Sequence, residues 1–247
     1  MKNKLIVKRM AAIAASGLIF IGCQTRTPET FLFHPDPITH FVPEDPGDTR
    51  PDYNIYFLGN SITLDYPNPA VNWFGIWGMA ATSPENDYVY QLIHKIRNEF
   101  NNYRINYTTH KIRYWELNFN ETVKINTQKT VNLLVVQLGE NVNETYARKN
   151  NYYAALSKLV AGVKGENTKV IMLDPFWYSG YKTAVHKRIA QANGYHFAAI
   201  SDLSFNTGNM AYGTFDNTAV AMHPGDKGMK TIAERLYKCI KDNGIIP

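Results

Sequence analysis

The sequence predicts an α/β protein in which a central parallel sheet of about five strands is covered by helices on both faces. Apolar runs of strand length alternate along the chain with segments of helical spacing, an order typical of parallel sheets. The run 131–138 (VNLLVVQL) is almost continuously apolar, as expected of a central strand that is buried on both faces. With 45% hydrophobic and 19% charged residues, the composition indicates a globular protein with a sizeable core.

The strands and helices are predicted from local patterns taken in chain order. Predicted strands cover 55–58, 103–108, 131–138, 169–173 and 196–200, and predicted helices cover 86–101, 144–164, 182–193 and 224–243. The first helix begins at an Asn/Asp pair, the third ends at Gly194, and the last has Pro224 in its first turn and Gly244 after its end, all common helix boundaries. The stretches 65–86 and 208–221 are predicted to be irregular, and a loop as long as the first is usually functional.

Three short polar motifs lie where elements end or begin. Gly59-Asn60-Ser61 follows the first predicted strand, Gly139-Glu140-Asn141 follows the third, and His223-Pro224 precedes the last helix. In open α/β sheets, ligands bind at the carboxyl ends of the strands. The motifs therefore predict that Ser61, Asn141 and His223 lie together at that edge.

The identity and order of these motifs over residues 53–243 resemble those of the SGNH (GDSL-like) hydrolases, which are serine esterases. The resemblance implies a flavodoxin-like three-layer sandwich. The stretch 77–81 (WGMAA) and Asp87-Tyr88-Val89 resemble a branch of this superfamily that is common among secreted bacterial proteins.

The resemblance also implies a role for each motif residue. Ser61 would be the nucleophile, and His223 the base that takes its proton and returns it to the leaving alcohol. The Asn141 side-chain amide and the Ser61 backbone amide would donate hydrogen bonds to the developing oxyanion. Asn60 stands where the family has Asp, and its amide oxygen can still accept a backbone hydrogen bond.

Two features depart from the family pattern. Val220 occupies the position three residues before His223 where the family places an Asp that orients the imidazole. A backbone carbonyl near 219–221 or the carboxylate of Asp216 would then orient His223, whereas Asp226 is interpreted as a helix-start residue. No glycine lies between Gly78 and Gly139, so a third oxyanion donor would come from another residue, such as one in the loop 113–115.

Other kinds of chemistry find less support. Glu116 and Glu140 could form a glycosidase pair, but carboxylates in loops are usually solvated, and we do not favour this alternative. The sequence has no His-x-x-x-His motif, no cysteine cluster and no phosphate-binding glycine loop, so neither a metal nor a cofactor is predicted. Cys239 follows the apolar pattern of the last helix and is predicted to be a small core residue.

The N-terminus is predicted to be a targeting segment. Residues 1–23 combine four basic residues with a short apolar stretch that ends in Gly22-Cys23, and this arrangement resembles a bacterial lipobox with Cys23 as the lipidated residue. A plain secretory signal and an uncleaved anchor are the alternatives. The proline-rich segment 24–50 is predicted to be a tether whose later part packs on the domain, and 51–247 a single hydrolase domain.

The charge of the chain comes mainly from this segment. Removal of residues 1–22 takes away four of the 26 basic residues and no acidic ones, which leaves 22 basic against 21 acidic residues. A nearly neutral protein has no electrostatic basis for binding nucleic acid. The expected partners are therefore an ester substrate and, through the lipid, the membrane of the bacterial cell envelope.

The predicted function is a serine esterase that cleaves small O-acyl esters, in particular O-acetyl groups on carbohydrate, through an acyl-enzyme. Three features suggest a carbohydrate substrate: the predicted location in the cell envelope, the substrates that members of the family often use, and the aromatic residues expected near the site. The expected substrate contacts are Asn60, Trp73, Trp77, Trp115, Glu140 and Trp177, with Tyr178 close by. The alternatives are a non-catalytic carbohydrate-binding lipoprotein on a decayed esterase fold and a lipid-directed esterase.

Overall fold

The computed structural model describes residues 37–43, 45–119 and 130–247. Its sheet has six strands: β1 (Ile38–His40), β2 (Asp52–Gly59), β3 (Arg104–Lys111), β4 (Leu133–Val136), β5 (Lys169–Leu173) and β6 (His196–Ala198). The helices are α1 (Tyr88–Glu99), α2 (Arg113–Leu117), α3 (Glu144–Lys149), α4 (Tyr152–Val163), α5 (Gly180–Asn193), α6 (Thr218–Ala221) and α7 (Asp226–Asp242). The α/β sandwich with helices around a mostly parallel sheet is confirmed.

The strand order is β1-β3-β2-β4-β5-β6, and every pair is parallel except β1 with β3. The five parallel strands therefore have the flavodoxin-like order, in which the first strand lies between the second and the third. In this topology the chain reverses its direction of winding between β2 and β4. Ligands bind outside the carboxyl ends of the strands at that point.

Each face of the sheet carries its own hydrophobic core. Alternate residues of β2 point to opposite faces: Ile55 and Phe57 join the cluster beneath α1 and α7, and Tyr56 and Leu58 join the cluster beneath α4 and α5. All four residues of β4 are buried. Burial on both faces explains why the sequence of the central strand shows a continuous apolar run instead of alternation.

Several predicted boundaries differ from the structure for local reasons. The helix predicted at 144–164 is two helices, because Asn151 adopts a left-handed backbone conformation (φ 51°) and its side chain caps α4 at Ala154 N. Asparagine tolerates this conformation better than most residues. The loop predicted at 208–221 ends in α6, which Asn217 caps.

The proline-rich segment contributes a strand to the sheet, because β1 pairs with β3 along its outer edge. The predicted signal segment, Cys23 and the tether up to residue 36 lie outside the described residues and stay predictions. Within the described part of the chain, no helix has the length and apolar character needed to cross a bilayer.

Candidate active site

A pocket of about 420 Å³ opens beside the carboxyl ends of β2, β3 and β4. Five of the predicted site residues line it: Asn60, Ser61, Asn141, Trp177 and His223. They come from segments up to 163 positions apart in the chain, and the sheet topology brings them together at the point where ligands bind in such folds.

Ser61 lies in a tight turn that begins where β2 ends. The amides of Thr63 and Leu64 both donate to the Asn60 carbonyl, at 2.7 and 2.9 Å. Gly59 is required here because a Cβ atom would collide with the Thr63 side chain and lie 2.9 Å from the Gln137 carbonyl oxygen. A glycine is thus needed here because of its close packing against Thr63 and the residue that follows β4.

Ser61 Oγ lies 2.9 Å from His223 Nε2, and His223 Nδ1 lies 2.8 Å from the Ala219 carbonyl oxygen. A carbonyl oxygen can only accept a hydrogen bond, so Nδ1 must carry the proton in this contact. The lone pair of Nε2 then faces the serine hydroxyl. This is the tautomer that a histidine needs in order to take a proton from serine.

The Ala219 carbonyl is available because it lies in the last turn of α6. The His223 backbone amide donates to Val220 O instead of Ala219 O, and an unpaired carbonyl in the last turn of a helix commonly binds a basic side chain. Val220 is fully buried and packs with Trp73 and Met79. Asp216, the other predicted orienter, is exposed, and the described contacts of His223 do not include it.

His223 is buried in a way that keeps its imidazole neutral. Only 9% of the residue is exposed, and the edge of its ring meets that of Trp177 with centroids 5.0 Å apart. Burial lowers the pKa of His223 below 6.5, although the Ala219 hydrogen bond and the charge of Asp65 act in the opposite direction. At neutral pH this side chain is therefore a base ready to accept a proton.

Asn141 and Asn60 both turn their side-chain amides toward one buried carboxylate. Asn141 Nδ2 donates to Glu116 Oε2 at 2.8 Å, Asn60 Nδ2 donates to the same oxygen, and the Gly139 amide donates to Oε1. Glu116 is only 1% exposed, which corrects the expectation that it is solvated. Asn143, and not Asn141, caps α3.

The Asp65 carboxylate and the Lys111 ammonium form an ion pair in the wall of the pocket. Neither residue was predicted to belong to the site. Lys111 is the last residue of β3, so its position at the carboxyl end of a parallel strand was the signal that could have identified it. Asp65, in the irregular stretch after Ser61, carried no comparable signal.

Three predicted aromatic contacts and one carboxylate lie elsewhere. Trp115 is in the core against Phe119 and Tyr152. Trp73 is buried against Trp77. The residues placed apart from the described pocket lining are Trp73, Trp77, Trp115 and Glu140. Large aromatic rings are more often core residues than ligand contacts, and the structure corrects these four expectations.

Glu140 faces inward, behind the pocket. Its Oε1 accepts from the Phe176 amide at 2.8 Å and from Gln137 Nε2 at 2.5 Å. Burial, and after it the neighbouring charge of Glu116, raises the pKa of Glu140 to about 8. Both effects favour the neutral form of this carboxyl group.

No family profile matches the sequence, and no curated protein sequence is similar to it. Solved structures do share its fold. A two-domain esterase (CEX) active on acetylated mannans has a TM-score of 0.54 at 17% identity, over 78% of this chain and 49% of that chain. The chain thus spans about half the length of that esterase.

Two further solved structures agree with this likeness. A protein from Parabacteroides merdae assigned as a GDSL-like lipase has a TM-score of 0.53 at 14% identity, over 81% of this chain and 99% of that one. An active-site mutant of a family two carbohydrate esterase from Clostridium thermocellum has a TM-score of 0.52 at 14% identity, over 81% and 66% of the two chains. The chain therefore has the fold of the SGNH/GDSL-like esterases and lipases, as its motifs predicted.

Proposed function

We propose that the protein is a serine carboxylic ester hydrolase that removes small acyl groups, in particular O-acetyl groups, from carbohydrate. The observation that carries the proposal is the Ser61 Oγ–His223 Nε2 contact of 2.9 Å with the tautomer of His223 held by the Ala219 carbonyl. A weak hydroxyl nucleophile becomes reactive when a correctly oriented base accepts its proton.

In the proposed reaction, Ser61 Oγ forms a bond to the ester carbonyl carbon while its proton moves to His223 Nε2. The tetrahedral intermediate carries a negative oxygen, which the Asn141 amide stabilises. Its collapse breaks the bond to the alcohol oxygen, and His223 returns the proton to the leaving alcohol. Water, activated by the same histidine, then cleaves the acyl-enzyme to the carboxylic acid and free Ser61.

The proposal of a carbohydrate substrate rests on the pocket wall. Hydroxyl-rich sugars are recognised by side chains that donate and accept hydrogen bonds, and the wall includes Asp65, Asn68 and Lys111. Trp177 adds an aromatic surface on which a sugar ring can pack. Two of the similar structures belong to esterases whose names refer to carbohydrate, which favours the same class of substrate here.

The test is hydrolysis of p-nitrophenyl acetate by the full chain, beside its Ser61→Ala and His223→Ala variants. We expect each variant to lose at least about 10³-fold in kcat, in line with the loss of members of such catalytic groups. Activity in Ser61→Ala equal to that of the wild type would refute the proposal.

Two further measurements separate the alternatives. Release of acetate from an acetylated oligosaccharide, with activity that falls as the acyl chain lengthens, is expected for the proposed function. Activity that rises with chain length would favour a lipid-directed esterase. Binding of the oligosaccharide without release of acetate would favour a non-catalytic binding protein.

We also propose that the protein is anchored in the bacterial cell envelope by a lipid on Cys23. The proposal rests on the lipobox-like segment that ends at this residue. Metabolic labelling with a radioactive fatty acid tests it, and we expect the label to be lost in Cys23→Ser.

A further inference from the structure

Glu116 lies where the loops that follow three strands meet. It belongs to α2, directly after β3, and its carboxylate accepts hydrogen bonds from Asn60, after β2, and from Gly139 and Asn141, after β4. A buried carboxylate is costly unless hydrogen bonds replace its hydration. Three donors converge on this one, so its burial ties the three loops to one another.

This carboxylate fixes the orientation of two side-chain amides. Its oxygens can only accept, so Asn60 and Asn141 must each turn Nδ2, and not Oδ1, toward it. Each Nδ2 carries two protons, of which Glu116 takes one. Both residues line the pocket beside Ser61. We propose that Glu116 is a positioning residue that holds Asn60 and Asn141 so that the second N–H of each amide forms the oxyanion site.

Two of the backbone amides expected near this site already donate hydrogen bonds elsewhere. The Ser61 amide donates to Asn60 Oδ1 at 2.9 Å, and the Trp115 amide donates to the Ile112 carbonyl at 3.0 Å within the first turn of α2. Side-chain amides therefore donate some of the hydrogen bonds that backbone amides would otherwise donate to the oxyanion. Asn60 becomes a second oxyanion donor, a role that adds to the proposed esterase function and rests on it.

The contribution of Glu116 is orientation and not charge. A negative carboxylate close to a developing oxyanion disfavours it by repulsion, but the two amides stand between the charges. Donors that are fixed before the reaction need no reorganisation when charge develops, and this is the source of the rate gain at such sites. Loss of Glu116 would leave both amides free to rotate.

The variant Glu116→Gln tests the inference, because it keeps the shape of the side chain and removes one acceptor. Whichever way the Gln amide turns, its NH₂ group meets either the Gly139 amide or the two asparagine amides. We expect kcat for p-nitrophenyl acetate to fall about 10²-fold, the typical effect of an oxyanion donor, with KM changed less than about threefold. The pH at which activity rises as His223 loses its proton should not move.

Glu140→Gln is the matched control. Glu140 is an inward-facing glutamate close to Glu116, and Oε1 is its only oxygen with a hydrogen-bond partner among the described residues. Glutamine keeps the shape of this side chain and an acceptor at the position of Oε1, so we expect kcat to stay within about threefold of the wild type. Equal losses in the two variants, or no loss in Glu116→Gln, would overturn the inference.

A double-variant cycle with Asn141→Ala tests whether Glu116 acts through the amides. When Glu116→Gln is introduced into Asn141→Ala, we expect its additional loss to be at least tenfold smaller than its loss in the wild type, because one of its two targets is gone. Losses that multiply fully would show that Glu116 acts independently of Asn141. If Glu116→Gln does not fold, Glu116→Asp replaces it, since Asp keeps the charge but cannot reach all three donors.

Failure of the esterase proposal can be distinguished from failure of this inference. Inactive wild-type protein would refute the esterase proposal alone, and the side-chain amide NMR signals of Asn60 and Asn141 would still report on Glu116. We expect both signals to shift in Glu116→Gln and to stay in place in Glu140→Gln. Unchanged signals in Glu116→Gln would overturn the inference.

Discussion

At the scale of the residue, the orientation of His223 departs from the pattern that the resemblance implies. The resemblance placed an Asp at position 220, and the sequence has Val220 there. In the structure this side chain is fully buried in an apolar cluster, while the Ala219 carbonyl contacts Nδ1 of His223. The acceptor that contacts His223 is thus a backbone carbonyl. The identity of the side chains in the sequence does not reveal it.

Introducing the Asp that the resemblance implies at position 220 is expected to harm the protein. Val220→Asp would place a carboxylate among Trp73, Met79 and Ala211. An unpaired buried charge costs several kcal/mol, so we expect the free energy of unfolding to fall by roughly 3 kcal/mol or more. We expect no increase in kcat/KM.

Denaturant unfolding and p-nitrophenyl acetate hydrolysis together measure both effects. Val220→Ala is the control for lost volume and should cost less than the charged variant. A gain in kcat/KM for Val220→Asp would mean that this side chain reaches His223, contrary to the structure.

At the scale of the element, α6 shows how a short helix can hold a functional group. It has only four residues, too few to be stable alone, and Asn217 caps it through hydrogen bonds to the amides of Ala219 and Val220 at 2.9 and 3.4 Å. The last turn of this helix presents the Ala219 carbonyl to His223. The Asn217 cap and the Ala219 carbonyl that contacts His223 therefore belong to the same helical turn.

Removal of this cap should reduce both stability and activity. For Asn217→Ala we expect a loss of about 1 kcal/mol in the free energy of unfolding. We also expect kcat to fall by more than about fivefold, because displacement of a catalytic group by an ångström can cost up to about 10²-fold. Asn151→Gly, which removes the cap of α4 but keeps its backbone conformation, should leave kcat unchanged. An equal fall in kcat for that control would contradict the specific role of α6.

At the scale of the whole molecule, buried histidines make stability depend on pH. His186 is fully buried between the Leu173 carbonyl and the Tyr152 hydroxyl, and burial lowers its pKa to about 4. Between pH 6.5 and 4 the unfolded chain binds a proton at this residue and the folded chain does not. Stability therefore falls as the pH falls through this range.

The expected size of this effect is roughly 2 to 3 kcal/mol between pH 7 and pH 4.5. The measurement is the free energy of unfolding at both pH values for the wild type and His186→Gln, and we expect the variant to lose less on acidification. His94→Gln, at an exposed position, is the control and should behave like the wild type. The raised pKa of Glu140 acts with the opposite sign, so the contribution of His186 is obtained from the difference between variants. Identical pH dependence in the wild type and His186→Gln would contradict the prediction.

The sequence predicted the parallel strands and the polar motifs that follow them because each is recognised from residues a few positions apart. The apolar run of β4, the Gly59-Asn60-Ser61 motif after β2 and the end of α5 at Gly194 can each be recognised from neighbouring residues alone. The same local reasoning failed for Glu116 and Trp115. Nothing in the neighbouring residues of Glu116 shows that donors from two other loops surround it.

The sequence by itself therefore determined the five parallel strands, the long helices and the residue types that could carry out ester hydrolysis, but not β1, α2 or α6. Only the tertiary structure decided what orients His223, which carboxylate is buried and which aromatic residues face the pocket. The physical reason is that strand and helix patterns depend on residues a few positions apart. Hydrogen bonds and burial at the site depend instead on side chains that meet only when the sheet has formed.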